Sequence, residues 1–177
     1  MQIIHIMGAS GSGTSTLGRA LAERIGYAWI DTDSVFWQPT DPPFQAEYPF
    51  EQRVQRMDEA IRANPHCVIS GWLGRAGNAY IHRFGWIVWL HVPTELRISR
   101  LKAREAARFG PRILPGGDMH ETHLAFLEYA GQYDAGGMDI RSYARQKQWL
   151  KQAVCPVLEL DGSRATEMLA EEIASRI

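Results

Sequence analysis

The chain has 177 residues, with 19 Lys and Arg against 20 Asp and Glu, for a formal net charge of −1. That length suits one domain with a real core, and a near-neutral balance with no basic tract gives no reason to expect a nucleic-acid partner. Cys67 and Cys155 stand apart in apolar stretches, as core thiols of a reducing compartment do. No apolar run reaches membrane-spanning length and no signal peptide precedes the first strand, so a cytoplasmic protein is expected.

In chain order, Ile3-Ile4-His5-Ile6-Met7 reads as a short buried strand. It runs into Gly8-Ala9-Ser10-Gly11-Ser12-Gly13-Thr14-Ser15, the frame of a phosphate-binding P-loop, G-x-x-x-x-G-K-[ST], with Thr14 where the frame has lysine. Gly8, Gly11 and Gly13 free the backbone for positive φ and for close approach to a ligand. Residues 14–25 read as a helix with Leu17, Leu21 and Ile25 on one face and Gly26 as its terminator. A strand, a glycine-rich turn and a helix N-terminus aim N–H groups and a positive dipole at one point, which suits a polyphosphate. The segment from Gly8 through Thr16 is therefore the expected nucleotide-binding stretch, and Ser15 takes the place of the hydroxyl that coordinates Mg²⁺. Thr14 cannot supply the charge that a P-loop lysine places on the transferring phosphates. Either another basic residue enters the site, or nucleotide binds with weak turnover, or the ligand is unusual.

Residues 27–30 suggest a second strand, ending at Asp31-Thr32-Asp33. Two carboxylates there could hold Mg²⁺ through water or accept a proton from an attacking hydroxyl, and either could instead cap the next helical turn. Four prolines exclude a long regular element over residues 37–50. Phe36, Trp37, Phe44, Tyr48 and Phe50 gather there, either to stack an aromatic ligand such as a nucleobase or as satellite core under a long loop. A helix over 51–64 stops at Pro65, and a third strand follows over 66–70. The glycine of Ser70-Gly71-Trp72 suggests close approach by a ligand, the alternative being an ordinary turn.

The fourth strand, 86–92, closes at Pro93 without the apolar run and Asp of a Walker B strand, which weighs against a motor-type ATPase. Thr94 is placed to cap a helix carrying Arg97, Arg100, Arg104 and Arg108 on one face, with Arg112 extending the series into a Gly/Pro-rich stretch over 109–118. Guanidinium suits phosphate, so this set could supply what Thr14 lacks, although a solvated face partnered by Glu105 is equally ordinary. Arg141 and Arg145 are a second source. His120 and His123 match no strong metal spacing and read as surface histidines at a helix start. Helical stretches over 119–133 and 140–152, a fifth strand over 156–160 and a last helix over 165–177 complete the chain. Short strands alternating with helices mean an α/β fold, a doubly wound parallel five-stranded sheet whose ligands sit beyond the carboxyl ends of the strands. One domain over residues 1–177 is expected, with a lid region at about 104–137.

The P-loop frame after a strand, Asp31-Thr32-Asp33 after the second strand and the arginine-bearing helix leading to a Gly/Pro segment resemble the small-molecule kinases of the P-loop superfamily, such as the adenylate, shikimate and gluconate kinases. Residues 31–39 with Phe36-Trp37, and Val68-Ile69-Ser70-Gly71, are most similar to adenylate-kinase-like proteins of the topology modulation type. The resemblance covers most of the chain in its order of elements, and its sharp motifs are the P-loop and the acidic strand end. It implies ATP and Mg²⁺ held by the P-loop, with Ser15, Asp31 and Asp33 toward the metal and Asp33 toward the acceptor. By the same resemblance Arg104, Arg108 and Arg112 would close over the phosphates. The expected activity is ATP-dependent transfer to a small acceptor of nucleotide or nucleoside type; the alternative is a nucleotide-binding protein without significant kinase activity. A basic side chain reaching the P-loop mouth would favour transfer.

Overall fold

The computed structural model describes every residue, Met1–Ile177. Five strands, β1 (Gln2–Gly8), β2 (Ala28–Asp31), β3 (His66–Ser70), β4 (Trp86–His91) and β5 (Val157–Asp161), form one sheet in the order β2-β3-β1-β4-β5 with every pairing parallel. Seven α-helices connect or flank them: α1 (Thr14–Ile25), α2 (Thr32–Phe36), α3 (Phe50–Ala63), α4 (Thr94–Phe109), α5 (His120–Gly131), α6 (Tyr143–Leu150) and α7 (Thr166–Ala174).

The sequence dictates this arrangement through β1. Its residues 3–8 are all buried, because a central parallel strand is covered on both faces. Side chains alternate between those faces. Ile3 and Met7 pack with Met57 and Ile61 of α3 and Trp149 of α6, whereas Ile4 and Ile6 pack with Leu17 and Leu21 of α1 and Leu169 and Ile173 of α7. Burying one such aliphatic side chain stabilises by about 1.5–3 kcal/mol. Because all strands run the same way, the ends of β1 and β2 bring Gly8 and Asp31 to one edge.

Several local expectations shift. Helix α2 is a single extra turn made by Asp31, whose carboxylate accepts from the Asp33 N–H at 3.1 Å. Thr94 is the first residue of α4 rather than its cap; its hydroxyl donates to Asp134 and accepts from Arg97. Helix α6 starts at Tyr143 because the Ser142 hydroxyl caps it, accepting from the Arg145 N–H at 3.0 Å. Both cysteines are free, and no helix is long and apolar enough to cross a membrane.

Candidate active site

The loop from Gly8 to Gly13 joins β1 to α1. Gly11 and Gly13 hold φ of 82° and 92°, values that a side chain disfavours. A Cβ on Gly11 would also come within 2.6 Å of the Arg97 carbonyl oxygen. Helix α1 has no side-chain cap, and the N–H groups of Gly11, Gly13, Thr14, Ser15 and Thr16 donate to no protein group. Uncapped first-turn amides beside a glycine loop make an anion-binding site. The loop is braced from within by the Ser12 hydroxyl, which donates to the Ala9 carbonyl at 2.8 Å.

The arginines expected to act as a set divide. Arg97 is fully buried and is a brace rather than a ligand: it donates to the carbonyls of Val92 and Ala130, each at 3.0 Å, to Asp134 at 3.1 Å and to the Ser10 carbonyl at 3.4 Å. Arg100 donates to the Gly162 carbonyl at 3.0 Å, in the turn after β5. Arg104 pairs with Glu105 at 3.0 Å. Arg108 lies over the rings of Phe44 and Phe109, 5.1 and 5.0 Å from their centres. Arg112 pairs with Asp118 at 2.6 Å and Asp41 at 2.7 Å, so it ties the stretch after α4 to the proline-rich segment.

The basic group that reaches the P-loop comes from elsewhere. Arg141 donates through Nη2 to the Gly8 carbonyl and through Nη1 to the Ser10 hydroxyl at 3.4 Å, while its buried Nε has no partner. Gln146 supports it, with Nε2 on the Gly8 carbonyl at 3.0 Å and Oε1 accepting from Trp89 and Tyr133. Arg145, the other expected source, donates to the Asp139 carbonyl instead.

Asp31 and Asp33 open onto a cleft of about 500 Å³ that Trp37, Phe44, Tyr48, Arg56 and Arg108 also line. Arg56, which the sequence reading did not single out, is fixed by its Nε on the Val35 carbonyl at 2.9 Å and stacks 4.2 Å above the Tyr48 ring. Trp37 meets Phe44 edge-on, with ring centres 5.7 Å apart, so these aromatics form a cleft wall. Phe36 instead joins the main core, and Phe50 packs against it. Phe44 sits at φ 63°, a left-handed conformation that costs an aromatic residue of order 1 kcal/mol or more. Asp33 is reachable by solvent yet hemmed in by protein. Burial first, and the neighbouring Asp31 second, raise its carboxyl above the ordinary range, while Arg141, Arg104 and Arg108 pull it back. Arg141 is the reciprocal case: burial weakens its hold on the proton, and Asp33 is the group that most strongly restores it.

Mg²⁺ takes hard oxygen donors. The hydroxyl of Ser15, on the first turn of α1, and the carboxylate of Asp33 fit that demand, whereas one oxygen of Asp31 is already engaged as the cap of α2. Gly71 does not leave room for a ligand: at φ 110° it leaves space for Thr32, with whose hydroxyl a Cβ would collide. His120 and His123 are half-buried at the start of α5 rather than fully exposed; His120 Nδ1 faces the Ile113 carbonyl at 2.9 Å and His123 lies 3.7 Å from Glu105. A second cavity of about 540 Å³ beside Ala9 is lined by Asp134, Glu159 and Asp161 with no Lys or Arg, which suits a polyphosphate poorly.

The family model for the AAA domain matches residues 4–110, from β1 through the P-loop, Asp33 and Arg108. The chain belongs to this family. It is 36% identical over 158 residues to uncharacterized protein YqaC of Bacillus subtilis, covering 89% of this chain and 87% of that one. It is 32% identical over 109 residues to shikimate kinase of Thermosynechococcus vestitus, covering 56% of this chain and 59% of that protein. Among solved structures, shikimate kinase from Acinetobacter baumannii in complex with shikimate has the same fold, with a TM-score of 0.58 at 21% identity over 99% of this chain and 92% of that one. The five-stranded parallel sheet, the P-loop and these relatives make the chain a P-loop kinase-like protein.

Proposed function

We propose that the chain is an ATP-dependent small-molecule kinase that moves the γ-phosphoryl group of ATP to a hydroxyl of an acceptor seated in the cleft between Asp33 and Arg108. The observation that carries this reading is the position of Asp33. It stands on the first turn of α2, just past the end of β2, with Arg141 as the cation acting most strongly on it, and Arg141 rests on the P-loop carbonyl of Gly8. Donor-phosphate amides, a cation and a candidate base thus share one edge of the sheet. The aromatic wall of Trp37, Phe44 and Tyr48 suits a planar ring, which supports an acceptor of nucleotide or nucleoside type. The relatives named shikimate kinases support a small-molecule acceptor in general.

On this reading the free P-loop amides of Gly11, Gly13, Thr14, Ser15 and Thr16 hold the phosphates, and Ser15 with Asp31 and Asp33 would hold Mg²⁺. The metal, when bound, neutralises charge on the phosphate oxygens. Asp33 takes the acceptor's hydroxyl proton as its oxygen bonds to the γ-phosphorus, and the bond from that phosphorus to the ADP oxygen breaks. Arg104, Arg108 and Arg112 belong to the lid, over residues of about 104–137, that closes on the pair of substrates.

The test is to incubate wild-type and Asp33→Asn protein with γ-labelled ATP, Mg²⁺ and single acceptors drawn from nucleosides, nucleotides, sugars and hydroxy acids. Wild type should label one acceptor class. Asp33→Asn should lower the transfer rate by about 10²–10⁴-fold with little change in affinity for ATP measured without Mg²⁺. Transfer unaffected by Asp33→Asn would contradict the base role. Tight ATP binding with no acceptor labelled would favour a nucleotide-binding protein without kinase activity, the reading that Thr14 supports.

A further inference from the structure

We propose that Arg141 is the phosphate-binding cation of this P-loop, a catalytic residue that stands in for the lysine absent at position 14. The inference rests on the phosphoryl-transfer reading above and adds to it the group that neutralises the transferring phosphate.

Arg97 is sealed against three carbonyls and Asp134, Arg100 is held by Gly162, Arg104 by Glu105 and Arg112 by two aspartates. Arg108 lies on two aromatic rings at the outer wall of the cleft. Arg100 Nη1 also lies beside Gly13, but none of these arginines brings to the loop a buried N–H left without an acceptor. Arg141 does. It contacts Gly8 and Ser10, the first and third residues of the P-loop, and has no carboxylate within ion-pair distance. Its Nε is a buried N–H with no acceptor. Such a donor carries a desolvation cost that a bound anion would relieve. Its strongest acidic neighbour is Asp33, on the acceptor side. A guanidinium resting on Gly8 and Ser10 stands beside the loop that would hold the phosphates, and it can offer two parallel N–H donors to phosphate oxygens.

A cation delivered this way differs from one built into the loop. Arg141 belongs to the segment that follows α5, whose position is set by the Tyr143 N–H on the Tyr133 carbonyl, the Arg141 N–H on the Tyr129 hydroxyl and the Ser142 hydroxyl on the Gly137 carbonyl. The charge on the terminal phosphate therefore arrives with residues 129–143 and not with α1.

The experiment is calorimetric titration of MgATP and MgADP into wild type, Arg141→Gln, Arg141→Lys and the double variant Thr14→Lys/Arg141→Gln. Glutamine retains an N–H donor for the Gly8 carbonyl while removing the charge, so the fold is preserved. Arg141→Gln should weaken ATP by about tenfold or more, the size of a charge-assisted hydrogen bond, and ADP by much less. Arg141→Lys should recover part of the loss, and Thr14→Lys in the Arg141→Gln background should recover most of it. ATP affinity unchanged in Arg141→Gln would overturn the assignment alone. So would equal weakening of ATP and ADP without rescue by Thr14→Lys, which would mark a structural brace. Wild-type protein that binds neither nucleotide would overturn the kinase reading and this assignment together.

Discussion

His5 lies fully buried in the middle of β1, with Nδ1 at 3.2 Å from the Ile69 carbonyl, its ring stacked on Phe84 and its Nε2 without a partner. Burial lowers its pKa from 6.5 to about 4. The folded protein therefore keeps His5 neutral where the unfolded chain would protonate it. Stability should be unaffected by this residue above the unfolded pKa and should fall as pH drops from about 6.5 toward 4, by at most about 3 kcal/mol. Urea unfolding at pH 7.5 and pH 5 measures this, and His5→Leu should show a shallower decline than wild type. Equal declines would contradict it. At the same scale, the glycines, Ser15 and Asp33 were legible in the sequence because each sits in a contiguous motif beside a strand end. Arg141 was visible only as one of two spare arginines, and Gln146 and Arg56 not at all. Arg141 meets Gly8 across 133 residues and Gln146 meets it across 138, and no local spacing encodes such a contact. Arg97 carries the opposite lesson: helical periodicity groups arginines on one face without saying which of them that face buries.

Among the elements, α4 and the 3₁₀ turn Gly110–Ile113 rest on the proline-rich segment through Arg108 on Phe44 and Arg112 with Asp41. These are solvent-exposed contacts, and ion pairs of that kind contribute about 0–1 kcal/mol. A lid so lightly held should open readily. Backbone amides over residues 109–118 should exchange faster than those of the strands in the free protein and slow markedly with MgATP, as a closing lid does. Hydrogen exchange followed with and without nucleotide reads this directly, and identical protection in both states would remove the lid. The sequence located the five strands and the long helices to within a residue or two at most ends, because short β-branched runs and helical apolar spacing are local signals. It showed α2 only as the alternative in which Asp31 or Asp33 caps a helical turn, and the Asp31 side chain forms that cap. It did not show the Thr94 bridge, which needs Asp134 to arrive from the far end of α5.

For the whole molecule, alternation of side chains along β1 divides the core into two layers, one under α3 and α6 and the other under α1 and α7. The parallel sense of every strand then places P-loop, Asp33 and cleft along a single edge, as expected for an open α/β sheet. The fold was legible as a whole because the order of elements alone restricts the topology; the acceptor was not, because cleft shape depends on how residues 37–50 fold back beneath Arg108. The central claim is that one site joins the P-loop, Arg141 and Asp33 around a transferring phosphate. A crystal structure with Mg²⁺ and a non-hydrolysable ATP analogue tests it most directly. The β-phosphate should lie on the amides of Gly11, Gly13, Thr14 and Ser15, the terminal phosphate within hydrogen-bond reach of Arg141, and its far side facing Asp33. A nucleotide bound elsewhere, or a terminal phosphate turned away from both Arg141 and Asp33, would contradict it.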